Sequence, residues 1–409
     1  MSNEKAQKIE PRLLKGFRDY GLTEQKARQE MFSKIQSVFE RLGFLPLSTP
    51  VLEYKEILMG KYGDDEKLVY SFKDNGDRDV AMRYDLTVPL ARYVAQNQGQ
   101  LTLPFKRYQI APVWRADNPQ KGRLREFYQC DVDAVGTDSP LADAEVIACV
   151  CQALEAVGVK NYKVRLNDRA GFAGLSPEAV RSIDKIDKIG LDGVVKEMED
   201  KGVSSAEIEN AKLMLGESAK QNVPENIAKL IEMIQSFGVS ATVEFDPSIA
   251  RGLDYYTGTV FEIYLSDKPE YGSICSGGRY DNLVDTFSKE SLPAVGGSIG
   301  IDRLLQALDE MGETETATPI QALVLNLSEN LQNKYISLAN NLRTAGINVE
   351  LYYSTAKLDK QFKYAESKNI PYAIIMGEEE SSNDEVQLKD LVKREQETVK
   401  VSDLAEKLK

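Results

Sequence analysis

The sequence predicts a mixed α/β protein built in two parts. Two runs rich in aromatic and branched residues, 103–115 and 126–136, flank a polar loop and read as an antiparallel hairpin. Residues 170–240 are charged, poor in aromatics and helical in pattern, and read as an insertion. Residues 319–409 alternate strand and helix, the pattern of a parallel sheet. A length of 409 residues suits two or three domains at roughly 150 residues each.

The elements follow in order. Met31, Phe32, Ile35, Val38, Phe39 and Leu42 recur at helical spacing within 24–42. The run GFLPLSTPVLE is extended and broken by Pro46 and Pro50. Residues 78–94 read as strand, turn and helix, and the hairpin comes next. Cys149 and Cys151 stand two apart in a helical stretch, so they face different sides and suit buried apolar positions. From about 243 to 306 the chain is glycine-rich and strand-like, closing on a helix at IDRLLQALDEMG. GETETATP, 312–319, reads as a linker. The expected domains are 1–318, with the insertion at about 170–240, and 319–409.

Composition excludes whole classes of chemistry. The chain has no histidine, which removes Ser-His-Asp and Cys-His catalysis, His-ligated zinc and imidazole pH switching. Four cysteines make no disulfide framework. A net charge of −13 argues against a generic DNA or membrane coat, though local basic patches decide nucleic-acid contact. No run approaches the ~20 apolar residues of a membrane span, and the polar N-terminus lacks a signal core, so the expected location is cytoplasmic, without membrane contact.

Four constellations could carry chemistry. WRADNPQKGRLREF gathers Arg115, Lys121, Arg123 and Arg125 around a turn. Guanidinium groups on a rigid hairpin suit a polyphosphate, because Arg binds phosphate oxygens bidentately; a solvated hairpin tip has the same composition. Phe127 and Tyr128 just beyond could stack on a base or pack in a core. ARGLDYYTGTVFEIY places Arg251, Tyr255 and Tyr256 at the mouth of a strand, where a polar pocket or a plain turn would fit. CSGGRYDNL and GGSIGIDRLL offer paired glycines and then Arg303 at a helix start, a place where anions bind. The glycine spacing is wrong for a dinucleotide fingerprint, and no phosphate-binding P-loop is present. MRYDLTVPLAR puts Asp85 and Thr87 at a strand end, where a carboxylate and a hydroxyl could hold an ammonium group.

Together these residues resemble the histidyl-tRNA synthetases, a family of class II aminoacyl-tRNA synthetases. GFLPLSTPVLE resembles class motif 1, FKRYQIAPVWRADNPQKGRLREFYQCDVDAVG motif 2 in its histidine-specific form, and GGSIGIDRLL motif 3. RGLDYYTG and SGGRYD are peptides typical of the family, and KGFRDY and IDKIDKIG fit it too. The similarity runs from about residue 12 to the end.

The resemblance implies an α+β catalytic domain, 1–318, around an antiparallel sheet flanked by helices, and an anticodon-binding domain, 319–409. It implies ATP, with Mg²⁺ carried on it and no bound transition metal, L-histidine, tRNA(His), and a homodimer formed through motif 1. Arg115 and Arg251 would be catalytic. Arg115 would hold the α-phosphate and the substrate carboxylate, and Arg251 would contact the α-phosphate from the other side. Arg123 and Arg303 would hold the β/γ-phosphates, with Phe127 stacked on adenine. Asp85, Thr87 and Gln129 would bind the α-ammonium. Asp133 would accept from the imidazole N–H and Tyr256 would donate to its other nitrogen, with Tyr255 beside them. Many members carry glutamate where this chain has Asp85 and Asp133. A histidine-sensing regulatory paralogue is the alternative; such subunits lack the anticodon domain and have a degraded ATP site. In the last domain, 12 Lys and Arg stand against 14 Asp and Glu, and Lys357, Lys360, Lys363 and Lys368 are candidates for tRNA phosphate contact.

Overall fold

The computed structural model describes residues 9–119, 122–250, 255–312 and 318–409. Lys121, Arg251 and most of the expected linker lie outside the described residues. The chain divides into two compact units, with the break in the main run between residues 314 and 315.

The first helix of the chain, Leu22–Arg41, buries Met31, Ile35, Val38 and Phe39, and from Gln25 on it belongs to the first unit. The strands of that unit are β1 (Leu45–Pro46), β2 (Leu52–Tyr54), β3 (Ser71–Lys73), β4 (Asp79–Met82), β5 (Phe105–Trp114), β6 (Glu126–Val135), β7 (Tyr162–Asp168), β8 (Thr242–Phe245), β9 (Thr259–Leu265), β10 (Ser273–Arg279) and β11 (Ala294–Gly300). Eight of them form one sheet in the order β1-β5-β6-β11-β10-β9-β7-β8. Only its edge pairs, β1 with β5 and β7 with β8, are parallel. The short β2, β4 and β3 form a separate antiparallel sheet.

Alternation along the strands divides the large sheet into two faces. One register row reads Ile110, Cys130, Ile299, Cys275, Ile263 and Val164 across six strands. These side chains pack against the Pro140–Ala156 and Ile301–Glu310 helices to form the main core. Cys149 and Cys151 are both buried there, as free thiols. The adjacent row, shifted by one residue, reads Gln109, Asp131, Ser298, Ser276, Glu262 and Arg165. It lies on the opposite face and is polar throughout.

The insertion has its own apolar cluster, with Phe172, Ile183, Met198, Ile208 and Leu215. The Glu225–Ser236 helix packs instead into the main core through Ile227, Leu230 and Ile234.

The second unit carries β12 (Ala322–Val324), β13 (Val349–Leu351), β14 (Tyr372–Ile375), β15 (Glu385–Asp390) and β16 (Glu395–Lys400), in the order β13-β12-β14-β15-β16. The expected parallel pairing holds for β13, β12 and β14. β15 and β16 add an antiparallel hairpin that the helix–strand alternation did not reveal. The Gln332–Thr344 and Leu358–Ser367 helices connect the parallel strands.

Candidate active site

The polar face of the large sheet builds the site, and β6 is its axis. Gln129, Asp131 and Asp133 alternate along this strand with buried Cys130, Val132 and Ala134, so all three face the same way. Burial of a polar group needs partners, and the partners differ at each position.

Asp133 sits at the closed end. Arg107, its register partner on β5, approaches Asp133 Oδ2 with Nη2 at 2.7 Å, an ion pair whose angle makes no directed hydrogen bond. The Tyr280 hydroxyl donates to Oδ1 at 2.5 Å. Arg107 is fully buried, and its Nη2 also donates to the carbonyl of Leu86 at 3.2 Å. Burial raises the Asp133 pKa, and the Arg107 charge and the Tyr280 bond oppose that rise. On the next strand lies Gly296, where a Cβ would stand 1.9 Å from Asp133 Oδ1. Only glycine leaves room for the carboxylate.

Asp85 ends the turn after β4. Its Oδ1 accepts from the Tyr62 hydroxyl and from the backbone N–H of Val88, each at 3.1 Å. The second bond caps the helix that starts at Thr87. The Tyr255 hydroxyl lies 3.5 Å from Oδ2. Burial raises this pKa also. Thr87 is half-buried at the first helical position. Tyr255 packs on Tyr256 with ring centroids 4.9 Å apart and meets Tyr280 edge-on at 6.1 Å. Asp85, Asp133, Tyr255, Tyr256 and Tyr280 thus line one recess.

Gln129 donates from Nε2 to Ser298 Oγ at 2.7 Å, and its Oε1 has no hydrogen-bond partner among the described residues. Asp131 is 3% exposed, and its Oδ1 is likewise unpartnered among the described residues. Burial, together with the charges of Asp133 and Asp85, outweighs Arg107 and Ser298 and pushes its pKa up to about 7.

A cationic region lies at the other end of β6. Arg115 donates from Nε to the carbonyl of Tyr84 at 3.1 Å, and its guanidinium lies 4.3 Å from the Tyr84 ring and 5.1 Å from the Phe127 ring. Phe127 is half-buried beside Leu86, Ala111 and Val113. Arg303, in the first turn of the 301–310 helix, donates to the carbonyls of Ser273 and, at 3.4 Å, Gly122. Burial first, then repulsion from Arg123 and Arg115, lowers its pKa to about 10. Arg123 itself is exposed. Arg303 thus lies within reach of the Arg115 and Arg123 charges, an arrangement that suits a polyanion.

Arg125 does not join them. Its guanidinium donates to the carbonyls of Asp117 at 2.9 Å and Lys15 at 3.2 Å, which ties the loop to the N-terminal segment. Gly16, at φ +87°, lies under it, and a Cβ there would meet Arg125 Cγ at 2.8 Å. In the second unit, Lys357, Lys360 and Lys363 are exposed, whereas Lys368 is paired with Glu350 at 2.7 Å.

Asp302, beside Arg303, anchors the start of the 301–310 helix. Its Oδ1 accepts from the Tyr20 hydroxyl at 2.7 Å and meets Arg28 at 3.0 Å, and its Oδ2 accepts from the Tyr128 N–H at 2.7 Å. The sequence reading missed Arg107, Asp131, Tyr280 and Asp302. Alternation along QCDVD could have found Asp131, and Tyr280 lay inside SGGRYD. Arg107 needed the β5–β6 register.

Comparison with known proteins gives a consistent result. The family model described as histidyl-tRNA synthetase matches residues 16–189 and 194–304, and one for an anticodon binding domain matches 321–409. A histidine--tRNA ligase of Rhodopirellula baltica is 42% identical over 96% of each chain. One of Treponema denticola is 38% identical over 98% of each. The crystal structure of histidyl-tRNA synthetase from Nostoc sp. PCC 7120 superposes with a TM-score of 0.84 at 32% identity, covering 98% of this chain and 99% of that one.

Proposed function

The chain belongs to the histidyl-tRNA synthetase family, and from that premise we propose how its side chains divide the work of the reaction. The reaction itself is ATP-dependent attachment of L-histidine to tRNA(His) through a histidyl-adenylate. The substrate carboxylate attacks the α-phosphorus and pyrophosphate leaves. The 3′-terminal adenosine of tRNA then takes the acyl group. Neither step needs a protein imidazole, because adenylation rests on positioning and on neutralising phosphate charge.

On this reading Arg115 bridges the α-phosphate and the substrate carboxylate. Arg123 and Arg303 hold the β/γ-phosphates, and Phe127 stacks on adenine. Arg251 supplies a second cation at the α-phosphate. The placement of Arg115 against the Phe127 ring, with Arg303 tied to the carbonyl of Gly122 and repelled by Arg115 and Arg123, is the observation that carries this assignment. Among the described residues no group of three or more acidic or cysteine side chains is placed to hold a metal ion. Mg²⁺ would arrive on the ATP phosphates, where it neutralises charge.

The recess reads the amino acid. Asp133 accepts from the imidazole N–H, the Tyr256 hydroxyl donates to the bare ring nitrogen, and Tyr255 packs alongside. Asp85, Thr87 and Gln129 take the α-ammonium. A buried acceptor and donor set against one ring rejects amino acids lacking either group, by ~10⁴ or more. The regulatory alternative is not favoured, because the ATP-site arginines and a matched anticodon-binding domain are both present. That second unit is assigned to the anticodon, with Lys357, Lys360 and Lys363 as phosphate contacts.

A homodimer through the motif 1 region is part of the same reading. Leu45 on β1 and Leu52, Tyr54 and Phe72 on the small sheet are all exposed, apolar surface of the kind an interface would cover. Sedimentation at micromolar protein should give twice the 45.7 kDa chain mass, and a monomer would remove this element.

The deciding test is ATP–pyrophosphate exchange with each of the twenty amino acids, without tRNA. Exchange with histidine alone is expected. Histidine binding without exchange would instead favour the regulatory subunit. No histidine binding would overturn the recess assignment.

A further inference from the structure

Two buried acceptors on the polar face of β6 have nothing to accept from among the described residues. Gln129 Oε1 and Asp131 Oδ1 sit two residues apart on one strand, both pointing to the same face, and neither has a hydrogen-bond partner among the described residues. A buried acceptor left empty carries its full desolvation cost, on the order of 1–3 kcal/mol and more when charged. In native structures such groups are completed by a ligand, an ion or ordered water.

Charge points the same way. Around this spot the buried ionisable groups are Asp131 and Asp133 on β6, Arg107 on β5, Asp85 after β4, and Arg83 beside it. Arg107 gives its one bound nitrogen to Asp133 and to the Leu86 carbonyl. Arg83 spends its donors on the carbonyls of Thr49 at 2.8 Å and Pro112 at 2.9 Å. Asp131 is therefore a buried carboxylate with no ion pair among the described residues: the charges of Arg107 and Arg83 act on it through space, and Ser298 is its hydrogen-bonding neighbour. What it lacks is a compact cation with several N–H donors.

We infer that Asp131 is a further substrate-binding residue, whose free carboxylate oxygen accepts from the α-ammonium of bound histidine alongside the Gln129 carbonyl. This rests on the reading of the recess above and adds to it. The ammonium group has three donors, which suits Gln129, Asp131 and the lightly held Oδ2 of Asp85. Serine at 131 would leave the same backbone with one acceptor oxygen fewer, and alanine with two fewer. Asp131 then acts on every amino acid's ammonium equally, so it contributes affinity and orientation, while Asp133 and Tyr256 contribute choice.

The test uses the full chain and three probes in calorimetric titration: L-histidine, L-histidinol, which keeps the ammonium and lacks the carboxylate, and imidazolepropionate, which lacks the ammonium. In Asp131→Asn, histidine and histidinol should bind at least about tenfold more weakly, the scale of one charge-assisted hydrogen bond. Imidazolepropionate should bind as it does to the unsubstituted protein. Because the chain contains no histidine, every imidazole resonance in a complex belongs to the ligand, so labelled histidine reports both ends separately. The amino nitrogen should shift between variants while the ring nitrogens hold. Equal weakening of all three probes, or of none, overturns the inference. Asp131→Ser is the second variant, and if neither folds by near-ultraviolet circular dichroism, the carboxylate is structural and the inference falls. If the unsubstituted protein binds none of the probes, the recess assignment itself fails first.

Discussion

The two faces of the eight-stranded sheet are made by the same strands and differ in almost everything else. The row Ile110–Cys130–Ile299–Cys275–Ile263–Val164 buries hydrocarbon and thiol against helices. One residue along, the row Gln109–Asp131–Ser298–Ser276–Glu262–Arg165 contains no apolar side chain. The first face supplies the free energy of folding, at about 25 cal/mol per Å² of apolar surface removed from water. The second consumes part of it, since Asp85, Asp131 and Asp133 all have pKa values raised by burial. A period of two lets one strand do both tasks, and a slip of one residue would exchange them.

Substitutions can break this division. The largest effect belongs to Arg115→Ala, which should lower ATP–pyrophosphate exchange by ~10³ with the unfolding midpoint little changed; a parallel loss of stability would show that the polar face also carries the fold. Phe261→Ala, on the apolar face, should cost about 3–5 kcal/mol in chemical denaturation while exchange per folded molecule persists.

Adjacent glycines give a sharper contrast. Gly296→Ala would press on Asp133 Oδ1, at 1.9 Å, which Arg107 and Tyr280 hold in place. Its KM for histidine should rise about tenfold or more. Gly297→Ala would meet Val150 Cγ2 at 2.8 Å and Phe261 Cζ at 2.9 Å, on the apolar side. It should cost about 1–3 kcal/mol of stability and leave KM alone. The same phenotype from both would erase the distinction.

The smallest effect is a pH dependence. A free aspartate titrates near 4, and folded Asp131 at about 7. Between those values the folded state keeps a proton that the unfolded state releases, so stability falls as pH rises and the full cost is present above about pH 7. The amide of the Asp131→Asn variant does not titrate and has no such cost. The melting temperature of that variant, relative to the unsubstituted chain without ligand, should therefore climb by a few degrees between about pH 4 and pH 8. A difference that stays flat or reverses would put Asp131 in a satisfied pair.

Local pattern carried much of the fold. Helical spacing of Met31, Ile35, Val38 and Phe39 marked the first helix, and composition marked the β5–β6 hairpin. The β15–β16 hairpin escaped because its apolar positions are few, with only Val386, Leu388 and Val399 buried among charged and amide residues, and β16 is otherwise exposed. Within the candidate site, Asp85, Arg115, Gln129 and Asp133 were legible through motifs. Arg107 was not, because its meaning depends on which residue of β6 stands opposite, a fact set by tertiary register and absent from any window of sequence. Asp131 was passed over because a carboxylate in a strand reads as solvent-facing until its burial is known. Arg125 was misjudged for a similar reason: its basic neighbours suggested phosphate, and two backbone carbonyls claim it.

The carboxylate of Asp302 ties Tyr20 and Arg28, near the start of the chain, to the helix that carries Arg303. The two sides of that contact are separated by more than two-thirds of the polypeptide. On a ribosome adding about 5–20 residues per second, the first helix waits many seconds before its buried partner exists. Until then Arg28 has no counter-charge and the phosphate end of the site has no fixed floor. With Arg303 holding ATP phosphates as proposed, the ability to bind ATP is among the last properties this molecule acquires during synthesis, and fragments truncated before residue 302 should be without it.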